Sequence, residues 1–458
     1  MLRRCAGLEW LSLSYFLYSF LLAAGMLLSL PYWLYQVLRH GKYRTGFPER
    51  LGRVPVRLMA GSAESSAGGK GVIWVHAVSV GEVLAISGLF HEMKRRFPQH
   101  RVVVSTTTDT GQELARKRFS EQNVFYFPMD FAFAIRPYLR ALQPELVLLA
   151  ETEFWPNFLH LAHASGARIA VVNARISDRS WPNYRRFLWA LRRMLVHVDL
   201  FLAQTQEDGT RLESIGAEAG RLRVTGNLKF DLSLPTPPPI VETLRRSLAA
   251  EGAGPVLVCG STVEGEEPPL LKAFENVRVS HPRAVMILAP RHRERFDEVA
   301  ILLQQLEIPF ARRSRWQGKA LASGVLLVDS IGELAGLYAL ADIAFVGGSL
   351  VPRGGHNIIE PAQHGVAIVV GNHTENFRDI VSLFQSRDAV RIVGLSELPL
   401  VLMQLLENDS ERRALGQRAK ETVRSQAGAT ARTLEELNTL LNEGPHPQPV
   451  PAQAAHSD

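Results

Sequence analysis

Along most of the chain, short apolar runs alternate with longer stretches in which apolar residues recur every third or fourth position. The runs VIWVHAV (72–78), RVVVSTT (101–107), NVFYFP (123–128), ELVLLA (145–150), RIAVVNA (168–174) and LFLAQT (200–205) form a first series. PVLVCGS (255–261), AVMILAP (284–290), GVLLVDS (324–330), IAFVGGS (343–349) and AIVVG (367–371) form a second. Strand-like runs alternating with amphipathic helical patterns predict a parallel sheet wrapped by helices. The proline-rich LSLPTPPPI separates the two series. The expected fold class is α/β with two Rossmann-like domains. The first spans 44–233, a linker covers 234–245, and the second spans 246–442 and ends in a charged helix; a polar, disordered tail is expected over 443–458. Open parallel sheets bind ligands beyond the carboxyl ends of their strands, so the two domains are expected to face an interdomain cleft that holds the chemistry.

Ahead of these domains the pattern changes. From Trp10 to Leu38 there is no Lys, Arg, Asp or Glu, and the run exceeds the ~20 apolar residues that a bilayer helix needs. Tyr15, Tyr18, Tyr32, Trp33 and Tyr35 cluster toward its ends, where amphipathic rings favour the headgroup layer. Residues 1–43 are therefore expected to be a membrane anchor helix with a basic flank. Arg39, Lys42, Arg44, Arg50 and Arg53 follow it against Arg3 and Arg4 before it, a bias that places the body in the cytoplasm. A half-inserted helix has nearly the same signature, and either arrangement gives contact with membrane lipids.

Composition narrows the partners. Of 458 residues, 46% are apolar and 21% charged, which describes a folding chain. The formal charge of +6 suits nucleic acid, an anionic membrane or a phosphorylated substrate. No RNP-like aromatic signature, zinc-finger spacing or long lysine run is present, so no nucleic-acid partner is expected. Cys5 and Cys259 lie far apart without CxxC spacing, against a disulfide framework or a structural zinc site.

Candidate chemistry sits where strands end. In WVHAVSVGE, Glu82 follows the first strand of the body at the start of a helix, next to Ser79 and Gly81. The helix dipole favours its ionised form, which suits a general base, although a plain helix-capping glutamate reads the same way. His76 reads more readily as a core histidine than as a base. TTTDTG, with Thr108, suits a capping turn as readily as ligand contacts. In LVLLAETEFWPN, Glu151 and Glu153 lie just beyond a buried strand, where extended alternation would point both the same way, toward substrate hydroxyls. The bland alternative is a salt-bridged pair positioning Arg175 or Arg179.

In the second series, Arg291, His292 and Arg293 emerge after a strand and suit a phosphate, or form a solvated basic loop. IAFVGGSLVPRGGHNIIEP places Gly347, Gly348 and Ser349 at a strand end and Gly354 and Gly355 before a helix expected near His356. Backbone N–H groups of such a turn make an anion site without a metal. Asn357 and Glu360 fall in that helix, Glu360 placed to accept from a ribose. The spacing is neither GxGxxG nor GxxxxGK[ST], against dinucleotide and P-loop sites.

Together GFPERLGRVP, HAVSVGE, TTTDTG, ETEFWPN, NARISDRS, GNLKFD, GSTxxGEE, APRH and FVGGSLVPRGGHNIIEPA strongly resemble the 3-deoxy-D-manno-oct-2-ulosonic acid (Kdo) transferase family of lipid A biosynthesis. The resemblance implies a GT-B glycosyltransferase with CMP-Kdo as donor and the tetra-acylated lipid A precursor as acceptor; fixed dipoles and cations at the leaving phosphate lead to the expectation of no metal and no cofactor. It also implies Glu82 as general base, Arg291 at the phosphate, Asn357 and Glu360 at the nucleotide, and Lys229 of GNLK as a donor contact near the hinge. Competing expectations are a GT-B transferase or epimerase that uses a UDP-sugar, and a non-catalytic membrane-tethered nucleotide-sugar-binding protein.

Overall fold

The structure, a computed structural model, describes residues 15–31, 35, 46–59, 71–176, 180–232 and 236–444. The chain divides into two compact units, Met1–Leu232 with Ala427–Asp458, and Ser233–Gln426.

The first unit is built on strands β1 (Val72–His76), β2 (Arg101–Thr106), β3 (Val124–Tyr126), β4 (Pro144–Ala150), β5 (Arg168–Ala174), β6 (Leu200–Ala203) and β7 (Leu222–Val224). They form a parallel sheet in the order β3-β2-β1-β4-β5-β6-β7. Each run of the first series lies on one of these strands. β1 is buried along its whole length because both sheet faces are covered. On one face Trp74 packs among Phe125, Val147 and Phe158, its ring 4.9 Å from that of Phe158. On the other, Ile73 and Val75 meet Ile86, Leu89 and Phe90 of the helix Val80–Arg96.

The terminal helix, Ala429–Asn442, corrects the expected domain assignment. It belongs to the first unit, where Leu434, Leu437 and Leu440 join the cluster around Ile73 and Val75. Asp231 holds its start by accepting the Gly428 and Thr430 N–H groups. A helix needs a sheet face for its apolar stripe, and the first sheet supplies it.

The second unit contains β8 (Val256–Thr262), β9 (Val285–Pro290), β10 (Phe310–Arg312), β11 (Val325–Leu327), β12 (Ile343–Val346), β13 (Ala367–Gly371) and β14 (Arg391–Val393). Its parallel order is β10-β11-β9-β8-β12-β13-β14. β7, β10 and β14 are the strands that the apolar pattern missed. Each has three residues and lies at a sheet edge, half-covered, where no continuous apolar run is demanded. The expected linker is also shorter than 234–245, because a helix occupies Pro239–Glu251. Pro239 stands at its first position, where a missing N–H costs nothing.

Residues 15–31 are helical and dock on the first unit. The Tyr15 ring stacks on His160 at 4.3 Å, and its hydroxyl lies 2.9 Å from His197 Nε2. Asn157 Nδ2 donates to Ser19 Oγ at 3.0 Å. Phe16, Leu17, Phe20, Leu21, Leu27 and Leu28 remain exposed. Among the described residues no helix is long and apolar enough to cross a membrane. Residues 1–14, 32–34 and 36–43 of the expected anchor and flank, the loop 61–70 and the tail from 445 lie outside the described residues.

Candidate active site

In the first unit the loops after β1, β2, β4 and β7 carry the expected side chains. Glu82 is the third residue of the helix Val80–Arg96, whose N-cap is Ser79. Its carboxylate accepts the Val78 N–H and the Ser79 hydroxyl, each at 2.8 Å. This is a capping arrangement, so the bland reading of Glu82 is realised as geometry. It does not exhaust the residue. Burial pushes the carboxyl up to about 7, with the Val78 and Ser79 hydrogen bonds opposing and the charges of Glu151 and Glu153 adding to the rise. A capping acid of this proton affinity is also able to take a proton near neutral pH. A Cβ on Gly81 would meet only Ser79 Oγ, at 3.8 Å.

Thr108 is the N-cap of the helix Asp109–Phe119; its hydroxyl accepts from Gly111 N–H at 3.1 Å and donates to Val78 O at 3.2 Å. The capping alternative therefore describes it. His76 is fully buried at the end of β1, its Nδ1 3.0 Å from Ser105 Oγ, and burial pulls it down to about 3. It is a neutral core histidine, as its position in an apolar run suggested.

Glu151 and Glu153 are close enough to raise the proton affinity of Glu82, but not by extended alternation. Glu151 has a left-handed backbone, φ 57°, which ends the strand. A non-glycine residue held there is strained, and such strain concentrates at working sites. Its carboxylate accepts from Lys229 Nζ at 3.1 Å, so its basic partner is Lys229, where the sequence suggested Arg175 or Arg179. Arg179 lies outside the described residues. Burial, then Glu151, raises the pKa of Glu153.

Lys229 sits in a short turn of helix, Leu228–Asp231, fixed by two asparagines. Asn173, also left-handed at φ 56°, accepts the Leu228 N–H at 3.0 Å, and Asn227 accepts the Lys229 N–H at 2.9 Å. Neither asparagine was assigned a role from sequence. Both stood inside recognisable motifs, NARISDRS and GNLKFD, and that was the only signal available.

In the second unit the amides of the glycine turn already have a partner. The N–H groups of Gly348, Ser349 and Leu350 point at a carboxylate of the protein itself, Glu266, at 2.7, 2.8 and 2.8 Å. Glu266 also accepts the Val263 N–H at 3.0 Å. The Gly347 N–H is spent on Gly260 O, and Ser349 Oγ donates to Val346 O and accepts from Gly371 N–H. These amides form an anion nest, but its anion is internal. The glycines are required all the same. A Cβ on Gly347 would lie 2.6 Å from Ser261 O, and one on Gly348, at φ 71°, would lie 2.8 Å from the His356 ring.

Arg291 and His292 follow β9 and are exposed. Half-buried His356 lies near enough to them that burial, then Arg291 and His292, lower it to about 4. Its Nε2 is buried without a hydrogen-bond partner. The helix expected near His356 begins instead at Ile359, preceded by Asn357, whose Oδ1 accepts the Ile359 N–H and whose Nδ2 donates to Glu360 at 3.3 Å. Asn357 and Glu360 are thus adjacent, in the first turn and just ahead of it.

Two α/β units with parallel sheets of this kind define a GT-B-like protein. The UDP-GlcNAc 2-epimerase from Neisseria meningitidis has a similar fold, with a TM-score of 0.54 at 14% identity over 81% of this chain and all of that one. Residues 45–232 match the family described as 3-deoxy-D-manno-octulosonic-acid transferase (kdotransferase). The chain is 36% identical over 430 residues to the 3-deoxy-D-manno-octulosonic acid transferase of Bordetella pertussis, covering 89% of this chain and 95% of that one. It is 34% identical over 377 residues to the enzyme of that name from Haemophilus influenzae, covering 81% and 87%. The chain belongs to the Kdo transferase family and is a glycosyltransferase.

Proposed function

We propose that the protein transfers Kdo from CMP-Kdo to the lipid A precursor, by one inverting displacement, at the cytoplasmic face of the bacterial inner membrane. Family membership supports the transfer; the observation that carries the mechanism is a buried Glu82 carboxylate poised near pH 7 beside Glu151 and Glu153. The acceptor hydroxyl gives its proton to Glu82 as its oxygen bonds to the anomeric carbon of Kdo. The bond from that carbon to the phosphate oxygen breaks, and CMP leaves with the electron pair. Arg291 and His292 meet the departing phosphate, since the nearby amides are committed to Glu266. Asn357 and Glu360 serve the ribose, and Lys229, held by Glu151, contacts the donor. The basic residues that follow the apolar segment support the cytoplasmic placement.

Mass spectrometry of lipid products after incubation with CMP-Kdo and the precursor tests donor, acceptor and the number of transfers together. The expected result is one or more Kdo additions with equimolar CMP release. Turnover of a UDP-sugar with no Kdo adduct would sink the reading.

A further inference from the structure

A cavity of about 170 Å³ lies within the first unit. Leu22 and Met26 of the helix 15–31 form one wall; Phe127, Met129 and Phe131 after β3 and Trp155 after β4 form the other. Two buried polar atoms of the lining, Thr107 Oγ1 and Trp155 Nε1, have no hydrogen-bond partner, while other polar groups are engaged. Arg50 donates to Thr107 O at 2.6 Å, and the Asp130 carboxylate accepts the Asn157 and Phe158 N–H groups at 3.1 and 2.8 Å. Most of what the wall offers a ligand is hydrocarbon, from Leu22, Met26, Phe127, Met129 and Phe131.

The lining is bonded to the Glu82 site. Thr107 and Thr108 both donate their N–H groups to Val78 O, at 3.3 and 3.1 Å, and the Val78 N–H in turn donates to Glu82 at 2.8 Å. Trp155 follows Glu153 by two residues, and Glu153 is near enough for its charge to act on Glu82. The helix that closes the cavity turns Phe16, Phe20, Leu27 and Leu28 outward, exposed. A largely apolar, half-open pocket thus lies between a lipid-compatible helix and the loops around Glu82.

We infer that this cavity binds one acyl chain of the lipid acceptor, with Leu22 and Met26 against one side of the chain and Phe127 and Trp155 against the other. The inference rests on the lipid-acceptor reading above and adds to it a determinant of acyl-chain specificity. Chain binding there places the acceptor's sugar at the loops around Glu82, and the binding energy of a remote part of the substrate is used to orient its reacting hydroxyl.

The test compares two acceptors with the full-length protein in detergent: the acylated precursor, and the same phosphorylated disaccharide with its acyl chains removed. Met26→Trp fills the cavity, and the ratio of kcat/KM for the acylated over the deacylated acceptor should fall by about tenfold or more. Met26→Ala enlarges it, and the preferred acyl length should move to longer chains. Transfer to the deacylated acceptor reports that each variant is folded. An unchanged ratio in Met26→Trp, together with an unchanged length preference in Met26→Ala, overturns the proposal. The same holds if Met26→Trp only weakens binding to phospholipid vesicles without moving the ratio, which would make the cavity a membrane contact. Wild-type protein that transfers Kdo to neither acceptor refutes the transferase reading itself.

Discussion

Glu82 and Glu266 occupy corresponding places in the two units and do different work. Each follows the first strand of its own sheet and stands at the start of the next helix, and each is buried. Glu82 accepts one backbone N–H and one hydroxyl. Glu266 accepts four backbone N–H groups, drawn from two loops. A carboxylate that receives four amides is committed to holding two loops together, because each of its lone-pair sites already has a donor. A carboxylate with two partners, burial and two acidic neighbours keeps its proton to near neutrality and can exchange it. Position after a strand therefore does not say how many donors a buried acid will meet; the fold around it does.

The largest way to break this comparison is to remove the internal anion. Glu266→Leu leaves four buried N–H groups without an acceptor and should cost on the order of 3–5 kcal/mol in denaturant unfolding of the second unit. Stability close to that of the wild type would mean that the nest is free to hold a ligand phosphate. Next, Glu82→Gln retains an acceptor for the cap and should melt close to the wild type, while turnover falls by about 10²-fold or more. Equal loss of stability and turnover would return Glu82 to the capping role alone.

The pH profile sharpens the point. Base catalysis needs ionised Glu82, so kcat/KM should rise with pH through about 7 and level off above it. Stability runs the other way: the folded protein holds this proton more tightly than the unfolded chain, so the stabilisation is full below about 4.5 and is lost as pH rises through about 7. Thermal melts across that interval should show the loss in wild type and not in Glu82→Gln. The smallest effect is expected from Glu151→Gln. Removing that negative charge and releasing Lys229 both favour ionised Glu82, so the activity limb should move to lower pH by a fraction of a unit. A limb that stays in place would show that Glu151 acts on substrate without tuning the base.

For the second unit, Arg291→Ala should raise the KM for the donor by roughly tenfold, with a smaller change in kcat. An unchanged donor KM, read from initial rates at saturating acceptor, would move the phosphate away from β9.

The apolar pattern along the chain was sufficient for the two parallel sheets, because strands covered on both faces must be apolar throughout, and that demand is local. Trp74 and Val147 could be recognised as core from their runs alone. The edge strands β7, β10 and β14 make no such demand, and the pattern passed over them. Glu82, Glu151 and Arg291 stood out because these residue types after a strand carry chemistry in an open α/β sheet, and Lys229 through the family resemblance of GNLK alone. Which partner each one found was settled by loops far apart in sequence: Lys229 with Glu151, Asn173 with Leu228, and Glu266 with the glycine turn that had looked ready for phosphate. The terminal helix joined the first sheet for the same reason, because an amphipathic stripe states that it will be buried but not against what. Periodicity and residue type are properties of short stretches and can be read from them. Hydrogen-bond saturation and proton affinity depend on which distant groups arrive at the same point, and only the folded chain decides that.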